Sequence, residues 1–161
     1  MTLRGRRGKK GFTLVELLIV VIILGILAAI VIPQFGNAST EAKESNLMTN
    51  LAALRGAIEL YKVQHQEVWP GSIAGSASWA NLVTHLTTAT DVTGASGSDY
   101  GPYLRTGVPR NPLNGLNTGT VGTIPAAADD STGWYYDDSN GEIRANSSGA
   151  GPSTGINYFD M

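Results

Sequence analysis

The chain has no cysteine and only two histidines, His65 and His85, among its 161 residues. Without cysteine no disulfide supports the fold, so the chain must rely on side-chain packing or on a bound ion. Two histidines without cysteine give no zinc-ligand spacing. The sequence also lacks the Gly-x-Ser-x-Gly turn of serine hydrolases and the glycine loop that cradles phosphates. We therefore expect no enzymatic activity.

Basic residues are concentrated at the N-terminus. Five of the eleven lysines and arginines lie in the first ten residues, at Arg4, Arg6, Arg7, Lys9 and Lys10. If this segment is removed, six basic residues face thirteen acidic ones, which gives the remaining chain a net charge of −7. An acidic domain without a basic patch does not favour binding to nucleic acid. We therefore predict no nucleic-acid partner.

One long apolar run organises the chain. The segment from Phe12 to Ile32 contains a single ionisable side chain, Glu16. At 1.5 Å per residue a helix of this length spans about 30 Å, the thickness of the hydrocarbon core of a bilayer. Basic residues beside a membrane helix stay on the cytoplasmic side. The sequence therefore predicts a single-pass protein with its N-terminus in the cytoplasm and its C-terminal domain outside.

The start of this run, Gly11-Phe12-Thr13-Leu14-Val15-Glu16, resembles the prepilin processing signal of type IV pilins and type II secretion pseudopilins. The resemblance implies that residues 1–11 are a leader. It also implies that prepilin peptidase cuts after Gly11 and methylates the new N-terminus at Phe12. Glu16 would be the acid that acts in assembly. Pro33 matches the proline usual in this helix, and a kink is expected there.

The resemblance also implies a function and a location. The absence of cysteine favours a major pseudopilin of type II secretion over a type IV pilin, and the segment 100–115 is similar to the corresponding stretch of that pseudopilin. The implied partners are identical subunits and minor pseudopilins in a filament, prepilin peptidase and an inner-membrane assembly platform. The precursor would lie in the inner membrane with its C-terminal domain in the periplasm.

Two other functions stay open at this point. A type IV pilin for adhesion, motility or DNA uptake has the same kind of N-terminus. A signal-anchored extracytoplasmic binding module is the alternative of another class. For that module, an ordinary signal peptide would be cut after the apolar run, near Leu27-Ala28-Ala29.

The pattern changes after Pro33. We assign residues 12–33 to a membrane or filament-core helix and residues 34–66 to its amphipathic continuation. In the second segment apolar residues recur at helical spacing on one face, at Leu47, Leu51, Leu54, Ile58 and Tyr61. Residues 67–161 contain fourteen of the twenty glycines and six of the seven prolines, which predicts loops and short strands. The expected fold is α+β, a pilin fold with a long helix packed on a small antiparallel sheet.

Two local elements are predicted in this C-terminal part. Ser78 is placed to cap a short helix with Leu82 and Leu86 on one face. Asn140-Gly141, between strand-like runs, indicates a β-hairpin. A two-residue turn would place Asp137 opposite Arg144, whereas a three-residue loop with a bulge would shift that pairing.

Four aspartates lie around this hairpin, Asp129 and Asp130 before it and Asp137 and Asp138 near its turn. Aspartate is common in turns, so these residues can be solvated turn residues only. Calcium takes six to eight oxygen ligands from carboxylates and carbonyls, so the same residues are also candidate ligands. The resemblance supports this second interpretation, because major pseudopilins bind calcium in their C-terminal loops. Turn residues are the favoured interpretation of the four aspartates, and a calcium site is the alternative.

Overall fold

A computed structural model describes residues 11–73 and 75–161, and for residues 32–37 and 73 it describes the backbone only. The basic residues of the predicted leader, at positions 1–10, lie outside the described residues. Contacts divide the chain after Ala38 into two units, of which the second is Ser39–Met161.

Helix α1 spans Leu14–Gln64, so it begins two residues after the predicted start at position 12 and ends two residues before the predicted end at position 66. The backbone stays helical through position 33. The predicted kink at Pro33 stays a prediction, because that side chain lies outside the described part of the structure.

The first part of α1 is apolar on every side. Its 18 residues from Leu14 to Val31 have a mean hydropathy of 3.2, and none of them is buried. Within the described residues this is the one helix that is long and apolar enough to cross a membrane. An apolar surface of this size requires lipid or other apolar partners.

The second unit is built on the predicted face of α1. All five predicted residues are at most 2 % exposed, and they pack against the aromatic residues of the C-terminal strands. Polar atoms of two core aromatic residues also form hydrogen bonds. The Tyr136 hydroxyl donates to Pro70 O at 2.8 Å, and Trp134 Nε1 donates to Pro109 O at 3.0 Å. The amphipathic face predicted from spacing is therefore confirmed.

The chain leaves α1 through two residues with left-handed backbone, Gln66 (φ 57°) and Glu67 (φ 64°). This turn brings Glu67 back to Lys62, with 3.4 Å between Nζ and Oε2, and the Lys62 ammonium also lies over the Trp69 ring. Lys62 therefore pairs with the turn that ends the helix.

A small hairpin and a short helix follow. Strands β1, Ser72–Ile73, and β2, Ser76–Ala77, pair antiparallel. Helix α2 spans Trp79–Thr87, and Ser78 Oγ caps it by accepting the backbone N–H of Asn81 at 3.2 Å. Leu82 and Leu86 are fully buried in the core. The capping residue and the buried face of this helix are as predicted.

The main sheet has the order β3-β4-β5, with bounds Gly119–Val121, Trp134–Asp137 and Glu142–Ala145. Strand β4 pairs antiparallel with β5, but β3 pairs parallel with β4, so the sheet is mixed and not antiparallel throughout. A parallel pair needs a long connection. Residues 122–133 supply it, and Gly133 N–H donates to Thr118 O at 2.9 Å where the chain returns.

The hairpin register differs from the two-residue-turn prediction. Asp137 pairs with Glu142, and Arg144 lies opposite Tyr135, so the loop contains the four residues 138–141. The Asp137 carboxylate accepts the N–H and hydroxyl of Ser139 at 2.9 and 2.6 Å. Gly141, with φ 75°, donates to Asp137 O at 2.8 Å and closes the wider turn.

The C-terminal tail is ordered. A 3₁₀ turn, Tyr158–Asp160, buries Tyr158 and Phe159 to 6 % exposure, and Tyr158 joins the core. Upstream of it, the buried carboxylate of Glu44 in α1 accepts the Ser153 N–H at 3.0 Å and the Thr154 hydroxyl at 2.6 Å. Hydrogen bonds to Glu44 thus add to the core packing that holds the tail against α1.

Candidate processing and assembly site

The predicted cleavage position lies just before α1. Gly11, Phe12 and Thr13 are outside regular secondary structure, and all three are exposed, Phe12 to 78 %. A Cβ atom built on Gly11 meets no atom within 4 Å. Within the described structure, nothing therefore requires glycine at position 11. A requirement for it would come from a molecule that recognises this segment.

Thr13 and Glu16 form a reciprocal pair at the start of α1. Thr13 Oγ1 accepts the Glu16 N–H at 3.2 Å, and the Glu16 carboxylate accepts the Thr13 N–H and hydroxyl at 2.9 and 2.8 Å. Thr13 O accepts the first helical bond, from Leu17 N–H, at 3.2 Å. This is a capping box with Thr13 as N-cap and Glu16 three residues later.

The capping role of Thr13 was not predicted from the sequence. The signal was present, because threonine followed three residues later by glutamate, just before an apolar run, is typical of a capping box. The two bonds from Thr13 both reach Glu16 Oε2. Within the described residues Oε1 has no partner, so it can accept a bond from outside this chain.

The candidate calcium ligands fall into two places. Asp129 and Asp130 precede β4, whereas Asp137 ends it and Asp138 starts the following loop. A strand of four residues is about 13 Å long, so the two pairs lie at opposite ends of β4. The structure therefore separates the four residues that were predicted together.

Hydrogen bonds hold the carboxylates of the first pair, Asp129 and Asp130. Asp129 Oδ1 accepts Asn146 Nδ2 and the Ser131 N–H and hydroxyl, and the bond from the Asn146 side chain is the main cause that holds the pKa of Asp129 well below its usual range. Asp130 Oδ1 accepts the Ser148 N–H at 2.9 Å.

Among residues 11–73 and 75–161, no group of three or more His, Cys, Asp or Glu side chains is placed to hold a metal ion. This finding does not measure calcium binding, because backbone and amide oxygens are also ligands for calcium. The calcium site stays a prediction.

The two histidines lie in a buried aromatic stack. Tyr61 is parallel to His65 at 3.7 Å and to His85 at 5.0 Å between ring centroids. His85 Nδ1 accepts the Gly71 N–H at 3.1 Å, but its buried Nε2 has no hydrogen-bond partner within the described part of the chain. Burial, and then the charge of His65, lower the pKa of His85. This stack belongs to the core and is far in sequence from the processing site.

The N-terminal segment of the chain matches a known family model. Residues 6–32 match the family model of the prokaryotic N-terminal methylation motif. This match includes Gly11, Phe12 and Glu16.

The chain is also similar to named proteins over its N-terminal region. It is 42 % identical over 60 residues to the type II secretion system core protein G of Pseudomonas aeruginosa, which covers 37 % of this chain and 42 % of that protein. It is 44 % identical over 70 residues to the type IV major fimbrial protein FimA of Dichelobacter nodosus, covering 40 % and 45 %. It is 46 % identical over 55 residues to the type IV narrow pilus major component PilA5 of Thermus thermophilus, which covers 34 % of this chain and 47 % of that protein.

Each of these matches spans less than half of the relative's length. No solved structure matches this chain. The chain thus carries a methylation motif and a long pilin-like helix, followed by an α+β unit.

Proposed function

We propose, from an N-terminus that matches the prokaryotic methylation motif, that this chain is a non-enzymatic structural subunit of a type II secretion pseudopilus. Prepilin peptidase would remove residues 1–11 and methylate Phe12. The mature subunit would leave the inner membrane and join a helical filament that drives protein export through an outer-membrane channel. The first relative described above, a core protein of type II secretion, supports this function.

The exposed apolar surface of α1 adds to the methylation motif that carries the proposal. None of the side chains from Leu14 to Val31 is buried within the chain itself. In the precursor, lipid would cover this surface. In a filament, the same segment of neighbouring subunits would cover it, so an identical copy is the partner that fits this part of the helix.

Glu16 then has a role in assembly. The apolar interior of a filament disfavours an ionised carboxylate unless a positive partner is present. Cleavage after Gly11 creates one, the amine of Phe12. Glu16 Oε1 has no partner within the described chain. It can therefore accept a hydrogen bond from the Phe12 amine of a neighbouring subunit. This pairing would set the axial register between subunits.

The other inferred partners follow from the same proposal. Minor pseudopilins would occupy the filament with this subunit, and an inner-membrane assembly platform would extract it from lipid. The methylation motif supports prepilin peptidase as the processing enzyme.

A type IV pilin is the second candidate function, because the fimbrial protein of Dichelobacter nodosus and the narrow pilus component of Thermus thermophilus match the same N-terminal region. Deletion of the gene separates the two functions. If the chain is a secretion subunit, the deletion strain should accumulate exported proteins in the periplasm and keep its surface pili. A pilin predicts loss of surface pili with normal secretion.

Mass spectrometry of the mature N-terminus tests the proposal itself. We expect a chain that begins at Phe12 and carries one additional methyl group on its amine. An intact leader, or an N-terminus near Ile30 as an ordinary signal peptide would give, would support the signal-anchored binding module and overturn the filament subunit.

A further inference from the structure

The side chain of Asn146 closes the acidic loop in front of β4. Asn146 follows directly after β5 and is 0 % exposed. Its Oδ1 accepts the N–H groups of Asp129 and Asp130 at 2.9 and 3.0 Å. Its Nδ2 donates to Asp129 Oδ1 at 2.6 Å and to Thr132 Oγ1 at 3.0 Å. The amide therefore uses all four of its hydrogen-bonding positions on this loop.

The backbone of Asn146 is engaged as well. Its N–H donates to Gly133 O at 3.0 Å, and its carbonyl accepts Asn114 Nδ2 at 3.0 Å. The same Asn114 amide also donates to Thr132 O at 2.8 Å. Residues 129–133 are thus attached to the end of β5 through both the side chain and the backbone of one residue.

A calcium ion would close such a loop through oxygen atoms. It needs six to eight of them at 2.3–2.6 Å. Here the group nearest to Asp129 Oδ1 is an amide N–H, which is a donor and cannot be a ligand. The same Oδ1 also accepts two hydrogen bonds from Ser131. The backbone N–H groups of Asp129 and Asp130, which would otherwise be unpaired, both donate to Asn146 Oδ1. The donor set around Asp129 fits a hydrogen-bonded loop and does not fit a cation.

We propose that the Asn146 amide occupies the place of a divalent cation in this loop, so that the C-terminal unit is ordered and stable without calcium. The polar amide supplies donors to the carboxylate and acceptors to the backbone, where an ion would supply positive charge to oxygen ligands. The loop then keeps its structure regardless of the calcium concentration outside the cell membrane.

The test compares the full-length chain in detergent with two asparagine-to-aspartate variants, in chelator and in millimolar calcium. Near-UV circular dichroism follows unfolding of the aromatic core. We expect the wild type to have the same Tm in both conditions. Asn146→Asp replaces the donors of Nδ2 with a second carboxylate beside Asp129, so its Tm in chelator should fall by at least about 5 °C. Calcium should restore part of this loss, because it can bridge the two carboxylates.

Asn117→Asp is the matched control. Asn117 is exposed and forms none of the described hydrogen bonds, so the same change of charge there should leave Tm unchanged in both conditions. A rise of several degrees in the wild-type Tm with calcium would overturn the proposal, as would an Asn146→Asp variant as stable as the control.

Asn146→Ala covers the case in which Asn146→Asp does not fold. This variant removes the amide without adding charge, and its Tm should fall equally in chelator and in calcium. An unchanged Tm would contradict the structural role of the amide. A loss that calcium reverses would show that an ion, and not the amide, orders the loop.

Discussion

Glu16 is one acid in a segment otherwise built of apolar side chains, and its two carboxylate oxygens have different surroundings. Oε2 accepts both bonds from Thr13, while Oε1 has no partner within the described residues. The capping box and a bond to a neighbouring subunit therefore do not compete for the same oxygen. Capping can stabilise the helix start in the precursor and persist during assembly.

We predict that Glu16→Leu is inserted at least as well as the wild type and yields stable protein, but that it assembles poorly. Insertion should not suffer, because the change makes the apolar segment more apolar. Assembly should suffer, because the Phe12 amine loses its carboxylate. Sheared filaments and membrane-bound subunit, compared by immunoblot, measure the two effects.

The control for this prediction is Glu59→Leu, which makes the same substitution at an exposed position of α1 outside the apolar segment. It should form filaments at wild-type levels. If Glu16→Leu subunits alone also form filaments at wild-type levels, the intersubunit role of Glu16 is wrong.

We expect His85 to make the stability of the C-terminal unit depend on pH. Its pKa is lowered below the ordinary value of 6.5 by burial and by His65. The unfolded chain therefore takes up a proton first when the pH falls below about 6.5, which favours unfolding. One such site changes the free energy of unfolding by at most about 1.4 kcal/mol per pH unit.

We predict that the free energy of unfolding decreases between pH 7 and pH 5 and that the decrease is smaller in His85→Gln. Glutamine does not titrate, so this substitution removes the contribution of His85 to the pH dependence. Denaturant unfolding at both pH values measures the difference. If the free energy of unfolding decreases by the same amount in both proteins, the pH dependence belongs to other groups.

At the scale of secondary-structure elements, the predicted processing signal lies directly before the apolar segment of α1. Gly11 lies before the helix and has no neighbours, whereas Gly25 lies inside the apolar segment and also has no atom within 4 Å of a Cβ position. The two glycines are thus sterically alike within the chain. They differ in whether a peptidase would recognise them.

We predict that Gly11→Val blocks removal of the leader without blocking membrane insertion, because the apolar segment that inserts is unchanged. Gel mobility of the precursor and membrane fractionation measure the two steps. Gly25→Val is the matched control and should be cleaved normally. Efficient cleavage of Gly11→Val would contradict the assignment of the processing site.

The sequence predicted the elements that depend on local pattern. The buried face of α1 follows from helical spacing alone, and α2 follows from Ser78 and two leucines on one face. Gly11, Phe12 and Glu16 belong to one short motif, so they could be assigned without a structure. Their processing and assembly roles stay predictions.

The sequence did not predict features that depend on distant partners. Gly119–Val121 carries no strong strand pattern, and its parallel pairing with β4 depends on how residues 122–133 return. The hairpin register depends on bonds from Ser139 to Asp137, which favour a wider turn than Asn140-Gly141 alone indicates. The bond between Asn146 and Asp129 joins residues that each look like ordinary turn residues.

At the scale of the whole C-terminal unit, Glu44 holds the tail. We predict that Glu44→Ala exposes the tail to chymotrypsin near Tyr158 and Phe159, because the Ser153 and Thr154 donors lose their acceptor. Limited proteolysis with mass analysis of the products measures this. Glu41→Ala changes an exposed glutamate of the same helix and should be cut at the wild-type rate. Equal rates for both variants would contradict the role of Glu44.

The bonds of Glu44 join residues 109 and 110 positions apart, so a carboxylate closes almost the entire C-terminal unit into a ring. A disulfide at such a position would also restrict the unfolded chain and lower its entropy. A hydrogen-bonded closure exists only in the folded state, and the bond from Thr154 lowers the pKa of Glu44 below its ordinary value of 4.5. Protonation of Glu44 below this lowered pKa would therefore weaken the closure reversibly, and refolding would need no oxidant.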